Sequence, residues 1–355
     1  MNLAMSLPEV WDKVWPFLVA VLFFEVIIIV HEFGHFLFAK LNGIKVEEFA
    51  IGMGPKIISF TRGSTKYSLR LFLIGGYCAM EGEDEEVSSE TSFSSKKVWQ
   101  RMLVVVAGAV FNLILGFIIA VVIVSSQNLV GTTIVAKFDD NASSVNYGLQ
   151  AGDEIKSING MRIYSSADIS TGLARDDDGV VDMVVKRDGQ KVDLKGVKFN
   201  TQKVEYGNIS RNVIMMDFYI LGKPKNVGNV LVEGFKETVA MGRTVFLSLH
   251  DLLVGKYSLS ELSGPVGTVT IIAETATVSF SALLQIMLLL TVNIGLFNLF
   301  PIPALDGWRF FTLLFEAVTR KKPNKKVEYA INAAGFVFLM IVMVLVTFSD
   351  LTKIF

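Results

Sequence analysis

A run of apolar residues from Pro16 to Phe38 is long enough to cross a bilayer, and it carries His31-Glu32-Phe33-Gly34-His35 within it. On a helix, residues four apart lie on one face. His31 and His35 can therefore offer two imidazole nitrogens to one metal ion, with Glu32 beside a water on that ion. Burying ionisable groups in lipid is expensive, which makes them candidates for function by default. The chain has three histidines, and two of them are in this motif.

The whole chain has the same character. It has 355 residues, 52% of them hydrophobic, and a mean hydropathy of +0.50, which points to several membrane spans joined to some soluble mass. A net charge of −1 gives no basic field for nucleic acid. The single cysteine, Cys78, rules out an internal disulfide framework and a Cys-x-x-Cys metal site, and reads as a small buried apolar residue. The first apolar run is too long for a signal h-region and lacks a basic segment before it, so no cleaved leader is expected.

Four runs are long enough to span the hydrocarbon: Pro16–Phe38, Met102–Ser125, Phe280–Pro303 and Tyr329–Phe348. Asn112 and Asn332 are the strongly polar members of the second and fourth. Arg309, Arg320, Lys321, Lys322, Lys325 and Lys326 lie between the last two runs, and Lys40, Lys45, Lys56, Lys66, Lys96 and Lys97 between the first two. By the positive-inside rule both loops are cytoplasmic, and both termini and the segment between spans two and three are outside. Spans one and three then run the same way, and their ends lie at similar depth near the cytoplasmic face.

A catalytic zinc keeps three protein ligands and an open position. The inner end of span three reads Asn298-Leu299-Phe300-Pro301-Ile302-Pro303-Ala304-Leu305-Asp306-Gly307. The prolines break the helix, and Asp306 is the carboxylate at that end. It is expected as the third ligand; its alternative role is to cap a helix starting near Trp308. Asn293 and Asn298 either bond a neighbouring helix or hold the substrate backbone or the oxyanion of the scissile carbonyl.

The remaining segments read as folded pieces. Ile57–Phe60 and Tyr67–Ile74 alternate like strands about Thr61-Arg62-Gly63-Ser64, which predicts a small hairpin or re-entrant sheet. Non-helical backbone at membrane depth is tolerated only inside protein or beside a watery cavity. The edge at Tyr67, Leu69 and Leu71 is the candidate for pairing with an extended substrate. Glu81–Glu86 reads as a solvated acidic loop. Val130–Leu221 has short strand-like runs punctuated by Gly and Asp, as in a small independent domain. Asn226–His250 reads as an amphipathic helix lying on the outer leaflet or packed on the spans, with His250 at the surface.

Together these motifs resemble the site-2 proteases, in the group of bacterial RseP/RasP-type intramembrane zinc metalloproteases. The resemblance rests on His31 through His35, Gly52-Met53-Gly54-Pro55, Gly75-Gly76-Tyr77, Ala107-Gly108 with Phe111-Asn112, Gly264-Pro265-Val266-Gly267, and Asn298 through Gly307. It covers almost the whole chain. Gly148 through Ile155 and Ile158-Asn159-Gly160 resemble a PDZ domain. Trp308 follows Gly307 where the family often has a second Gly, Ala109 stands where Pro is common, and Ile74 precedes Gly75-Gly76 where a Leu-Gly step is frequent. No ligand is lost by these departures.

The resemblance implies a polytopic α-helical membrane protein of four transmembrane helices, a re-entrant β element and an inserted extracytoplasmic PDZ domain, in the bacterial inner (plasma) membrane. The expected divisions are 1–127 and 280–355 for the two halves of the protease core, 128–222 for the PDZ domain and 223–279 for the amphipathic helix and linker. It implies one Zn2+ on His31, His35 and Asp306, and Glu32 as catalytic base. Implied partners are single-span membrane substrates already trimmed by another protease, such as anti-sigma factors and remnant signal peptides. Gly148 and Leu149 would shape a groove for a peptide C-terminus. Two other classes remain: a membrane-anchored PDZ scaffold without catalysis, which predicts a damaged site, and a metal or proton transporter, which predicts inverted repeats. The site is intact and no repeat is found.

Overall fold

The computed structural model describes residues 7–83, 87–206, 209–256, 262–322 and 324–354. In chain order these form α1 (Leu7–Leu41), β1 (Val46–Arg62), β2 (Thr65–Met80), α2 (Val98–Ser126), β3 (Val130–Phe138), β4 (Glu154–Ile158), β5 (Met161–Arg162), α3 (Ser166–Ala174), β6 (Val180–Arg187), β7 (Gln190–Lys198), β8 (Thr201–Tyr206), β9 (Ile209–Ile214), β10 (Phe218–Lys223), α4 (Val227–Leu253), α5 (Pro265–Val278), α6 (Phe280–Phe297), α7 (Asp306–Thr319) and α8 (Lys325–Ile354). Among the described residues, four helical stretches are long and apolar enough to cross a membrane: Val14–Leu41, α2, α6 and Lys325–Lys353. The third is shorter than expected. Asn298 caps α6 in a right-handed conformation, and with Pro301 and Pro303 beyond it the α-helix does not continue.

The chain divides into two compact units, residues 1–116 with 262–351, and residues 117–261 with 352–355. In the first, Ala20, Phe23 and Ile27 of α1 pack against Ile272 of α5 and Leu283 of α6. The helix α5 follows the Gly264-Pro265 step, with Pro265 in its first turn, where a missing amide costs nothing. Its N-terminus is held by Asp350 of α8, whose Oδ2 accepts from the Gly267 amide at 2.8 Å. A second core joins Ala39, Ile44, Val46, Met80, Val104 and Leu313.

The hairpin is longer than the sequence suggests, and it folds on itself. Residues 48–51 of β1 pair twice, with 76–79 on one side and with 66–69 on the other, while 58–62 pairs with 65–69. Left-handed Gly52, Gly54 and Gly75 make the bends. The result is four short segments in the order 56–62, 65–70, 46–51, 76–80. Tyr67 and Leu69 are therefore paired on both sides, so an added strand cannot use them; Leu71 lies beyond the doubly paired stretch. The free edges are 56–62 and 76–80.

The acidic loop is also more engaged than expected. Glu81 pairs with Lys45 at 3.2 Å and Glu83 with Arg309 at 2.6 Å; residues 84–86 lie outside the described residues. Burial pushes the Cys78 thiol well above its ordinary value, with nearby Glu32 and Glu83 adding to it, so it is an inert core residue as its lone occurrence suggested.

In the second unit, strands in the order β10-β3-β4-β6-β7, with β5 beside β4, form one sheet around Leu149, Ile155, Ile158, Val181, Met183 and Phe218. The helix α3 opens with a capping box of Ser165 and Asp168. Along α4, the polar face packs on protein, while Leu231, Val232, Phe235 and Val239 are exposed, an apolar face of the kind that meets lipid. Arg243 pairs with Asp168, Asp251 with Arg175 at 2.7 Å, and Thr244 meets Thr171 at 3.2 Å. His250, at the end of α4, is exposed as expected.

Candidate metal centre

Two elements far apart in the chain supply this site. On the same face of α1, His31 and His35 stand with ring centroids 4.8 Å apart. Asp306 is the first residue of α7; the N-cap is Leu305, with no side-chain cap bond. Its carboxylate is turned instead to the imidazoles. Asp306 Oδ2 lies 3.0 Å from His31 Nε2 and 3.2 Å from His35 Nε2, and the two nitrogens are 3.2 Å apart. Three ligands of a tetrahedral zinc, each about 2.0–2.1 Å from it, stand ~3.3 Å from one another. The donor triangle has that size and the donor chemistry of a catalytic zinc site.

A third element leaves room for an ion. A Cβ on Gly108 of α2 would lie 2.8 Å from His31 Nε2 and would crowd His35 Nε2 as well. The helices also meet closely at Gly34, where a Cβ would lie 2.8 Å from the Ala107 carbonyl carbon. Glycines at 34 and 108 thus let α2 lie against the imidazoles without filling the space between them. At Gly307 a Cβ would meet the Leu299 and Phe300 backbone, so the turn into α7 can fold back on the loop before it.

The imidazoles are oriented from behind. His35 Nδ1 donates to the Val104 carbonyl at 2.8 Å, which leaves the Nε2 lone pair facing the centre. Asn112 stands behind His31, its amide 3.4 Å from Nδ1. Asn112 Oδ1 is buried without another partner among the described residues; turned toward Nδ1, it supplies the acceptor that an Nδ1–H needs.

Glu32 is not one of the three donors. It lies within charge–charge reach of His35, His31 and Asp306, on the α1 face covered by β2, where a Cβ on Gly76 would lie 3.6 Å from its Cγ. Sequence reasoning missed a second acid on this face. Glu25, two turns earlier, is 3% exposed. Both of its carboxylate oxygens are buried without a hydrogen-bond partner among the described residues. An acid inside a lipid-length run was signal enough to find it.

The other expected site residues are scattered. Asn298 caps α6, and Asn293 has a buried Oδ1 without a partner among the described residues. Tyr67 packs on Phe36, next to His35, at 6.0 Å. Leu69 and Leu71 are exposed. Gly148 adopts a left-handed turn, and its carbonyl accepts from Arg187 at 2.7 Å. The Leu149 side chain is fully buried in the core of the sheet, so it can meet a peptide only through its backbone.

Known proteins are similar in sequence to this chain over nearly their whole length. A sequence-predicted zinc metalloprotease of Clostridium acetobutylicum is 35% identical over 338 residues, covering 94% of this chain and 96% of that one. A second, from Clostridium perfringens, is 36% identical over 335 residues, covering 94% and 97%. The regulator of sigma-W protease RasP of Bacillus subtilis is 28% identical over 423 residues, covering 94% and 98%. The sequence profile of peptidase family M50 matches residues 19–342. With zinc metalloproteases on every side of it, and two imidazoles and a carboxylate converging at its centre, this chain belongs to peptidase family M50, the site-2 protease family.

Proposed function

We propose that this chain cleaves peptide bonds in or near the transmembrane segment of single-span membrane proteins, with His31, His35 and Asp306 holding the zinc and Glu32 acting as general base. The observation that carries the reading is the donor triangle, with edges of 3.0 to 3.2 Å, drawn from residues 275 positions apart. Zinc held in that place would supply a Lewis acid, making water nucleophilic near neutral pH and polarising a carbonyl. Glu32 takes the proton of the attacking water and delivers it to the leaving amide nitrogen. Val104 and Asn112 hold the imidazoles in register while this happens.

A substrate helix hides its peptide bonds in its own hydrogen bonds and must unwind before attack. The β1–β2 sheet is suited to catch it. One free edge, 56–62, carries exposed Ile57, Ile58 and Phe60, and exposed Leu71, Phe72, Leu73 and Ile74 lie near the bend. These residues support a re-entrant position in the lipid, with main-chain pairing at the free edge; Leu71 joins that contact by its side chain. Asn293 and Asn298 are assigned to the substrate backbone. The sheet of the second unit reads as a PDZ domain on the outer side, with Gly148–Leu149 at its groove, either admitting a trimmed C-terminus or excluding bulky outer domains. The charge pattern supports an inner-membrane location with the metal near the cytoplasmic face. RasP is named a regulator of sigma-W, which supports anti-sigma factors as one substrate class, beside remnant signal peptides.

Glu32→Gln separates the roles. In detergent or vesicles it is expected to keep one zinc per chain and to lose cleavage of a single-span substrate by at least about 100-fold. Cleavage at the wild-type rate would remove Glu32 from the mechanism.

A further inference from the structure

Asp306 is delivered by a turn that an alanine does not favour. The segment between α6 and α7 contains Pro301 and Pro303, which have no amide to donate. It is closed by main-chain bonds from Ile302 to Phe300 at 2.7 Å and from Leu305 to Ile302 at 3.1 Å. Between them, Ala304 has φ +73, in the left-handed region, where a residue with a Cβ is strained. Strain of this kind persists only where the surroundings impose it.

In this chain α8 imposes it. The Ala304 amide donates to Asn332 Oδ1 at 3.1 Å. One turn along the same helix face, a Cβ on Gly335 would lie 3.0 Å from the Pro303 carbonyl oxygen, so α8 presses its bare backbone against the loop there. Other α8 residues around these two, Phe336, Phe338 and Ile341 among them, are exposed apolar side chains. Asn332 is thus a polar residue in a membrane-length helix whose partner is the amide of a strained residue, two positions before Asp306.

We propose that Asn332 is a positioning residue for the metal centre: by accepting the Ala304 amide, it holds the left-handed turn that aims the Asp306 carboxylate at His31 and His35, with Gly335 setting the distance. This rests on the reading of Asp306 as a zinc ligand. The position of α8 is thereby coupled to the geometry of the ion site.

The test uses the full-length protein in detergent, with zinc affinity by chelator competition, the visible spectrum of the cobalt-substituted protein, and kcat and KM on a model single-span substrate. Asn332→Leu keeps the shape and removes the acceptor; Asn332→Asp keeps an acceptor oxygen. Asn332→Leu is expected to weaken zinc about 10–100-fold, as loss of an outer partner does, to change the cobalt spectrum, and to lower kcat with KM little changed. Asn332→Asp should stay near wild type. The decisive arm is Ala304→Gly. Glycine adopts φ +73 without strain, so Ala304→Gly with Asn332→Leu should regain most of the zinc affinity and rate, which a general packing defect would not allow. Gly335→Ala is a second route to the same spectral change if Asn332→Leu folds poorly. Wild-type zinc affinity and spectrum in Asn332→Leu, or no recovery on adding Ala304→Gly, would overturn the proposal. Asp306→Ala runs beside them: if it alone keeps wild-type zinc, the ligand assignment fails and this inference with it.

Discussion

At position 108 a single methyl group would compete with the metal for space. Because the Cβ would lie 2.8 Å from His31 Nε2 and also crowd His35 Nε2, Gly108→Ala is expected to abolish or severely weaken zinc binding. Helix propensity alone would favour the change by about 1 kcal/mol. Helical content should therefore be retained or raised while zinc is lost, a combination that circular dichroism and metal analysis check together. The residues that converge at the centre were legible from type and spacing: the i, i+4 imidazoles, and the carboxylate at the end of the parallel span. The residues that serve them were not. The acceptor of His35 is the Val104 main-chain oxygen, which any residue at 104 would present. Glycines 34 and 108 matter for what they lack, and a sequence does not show which neighbour fills the gap.

Elements were legible where one periodicity rules, and less so where tertiary pairing decides. The four membrane-length helices follow from hydropathy alone. The β1–β2 sheet does not, because residues 48–51 pair on both sides, and the bends that permit this depend on glycine conformations no alternation pattern reveals. The amphipathic pattern of α4 was clear in the sequence, but its polar face meets protein: Arg243 pairs with Asp168 and Asp251 with Arg175. That packing has a pH signature. Burial first, then the charges of Glu233 and Asp168, raise the Glu237 carboxyl from its ordinary value of 4.5 to about 7. In the unfolded chain it ionises near the ordinary value, so the native state binds the extra proton between these values. Its contribution to α4 stability is full below about pH 4.5 and is lost as pH rises through about 7. Hydrogen exchange along α4, corrected for intrinsic rates, should quicken across that window, and Glu237→Gln should flatten the dependence. Exchange that slows with rising pH would contradict the assignment.

Across the whole molecule, the account depends on α1 and α7 meeting although their key residues stand 275 positions apart. Hydropathy and loop charge oriented the spans and so predicted the meeting; the helix α5, its tie to Asp350 and the turn at Ala304 needed coordinates, because each is a backbone contact between distant segments. The most direct measurement is X-ray absorption at the zinc edge of the purified protein, compared with Asp306→Ala. Two imidazoles and a carboxylate oxygen at about 2.0–2.2 Å are expected, with the protein-derived oxygen and most of the bound zinc lost in the variant. Identical spectra and zinc content in the two proteins, or a shell with no imidazole, would contradict it.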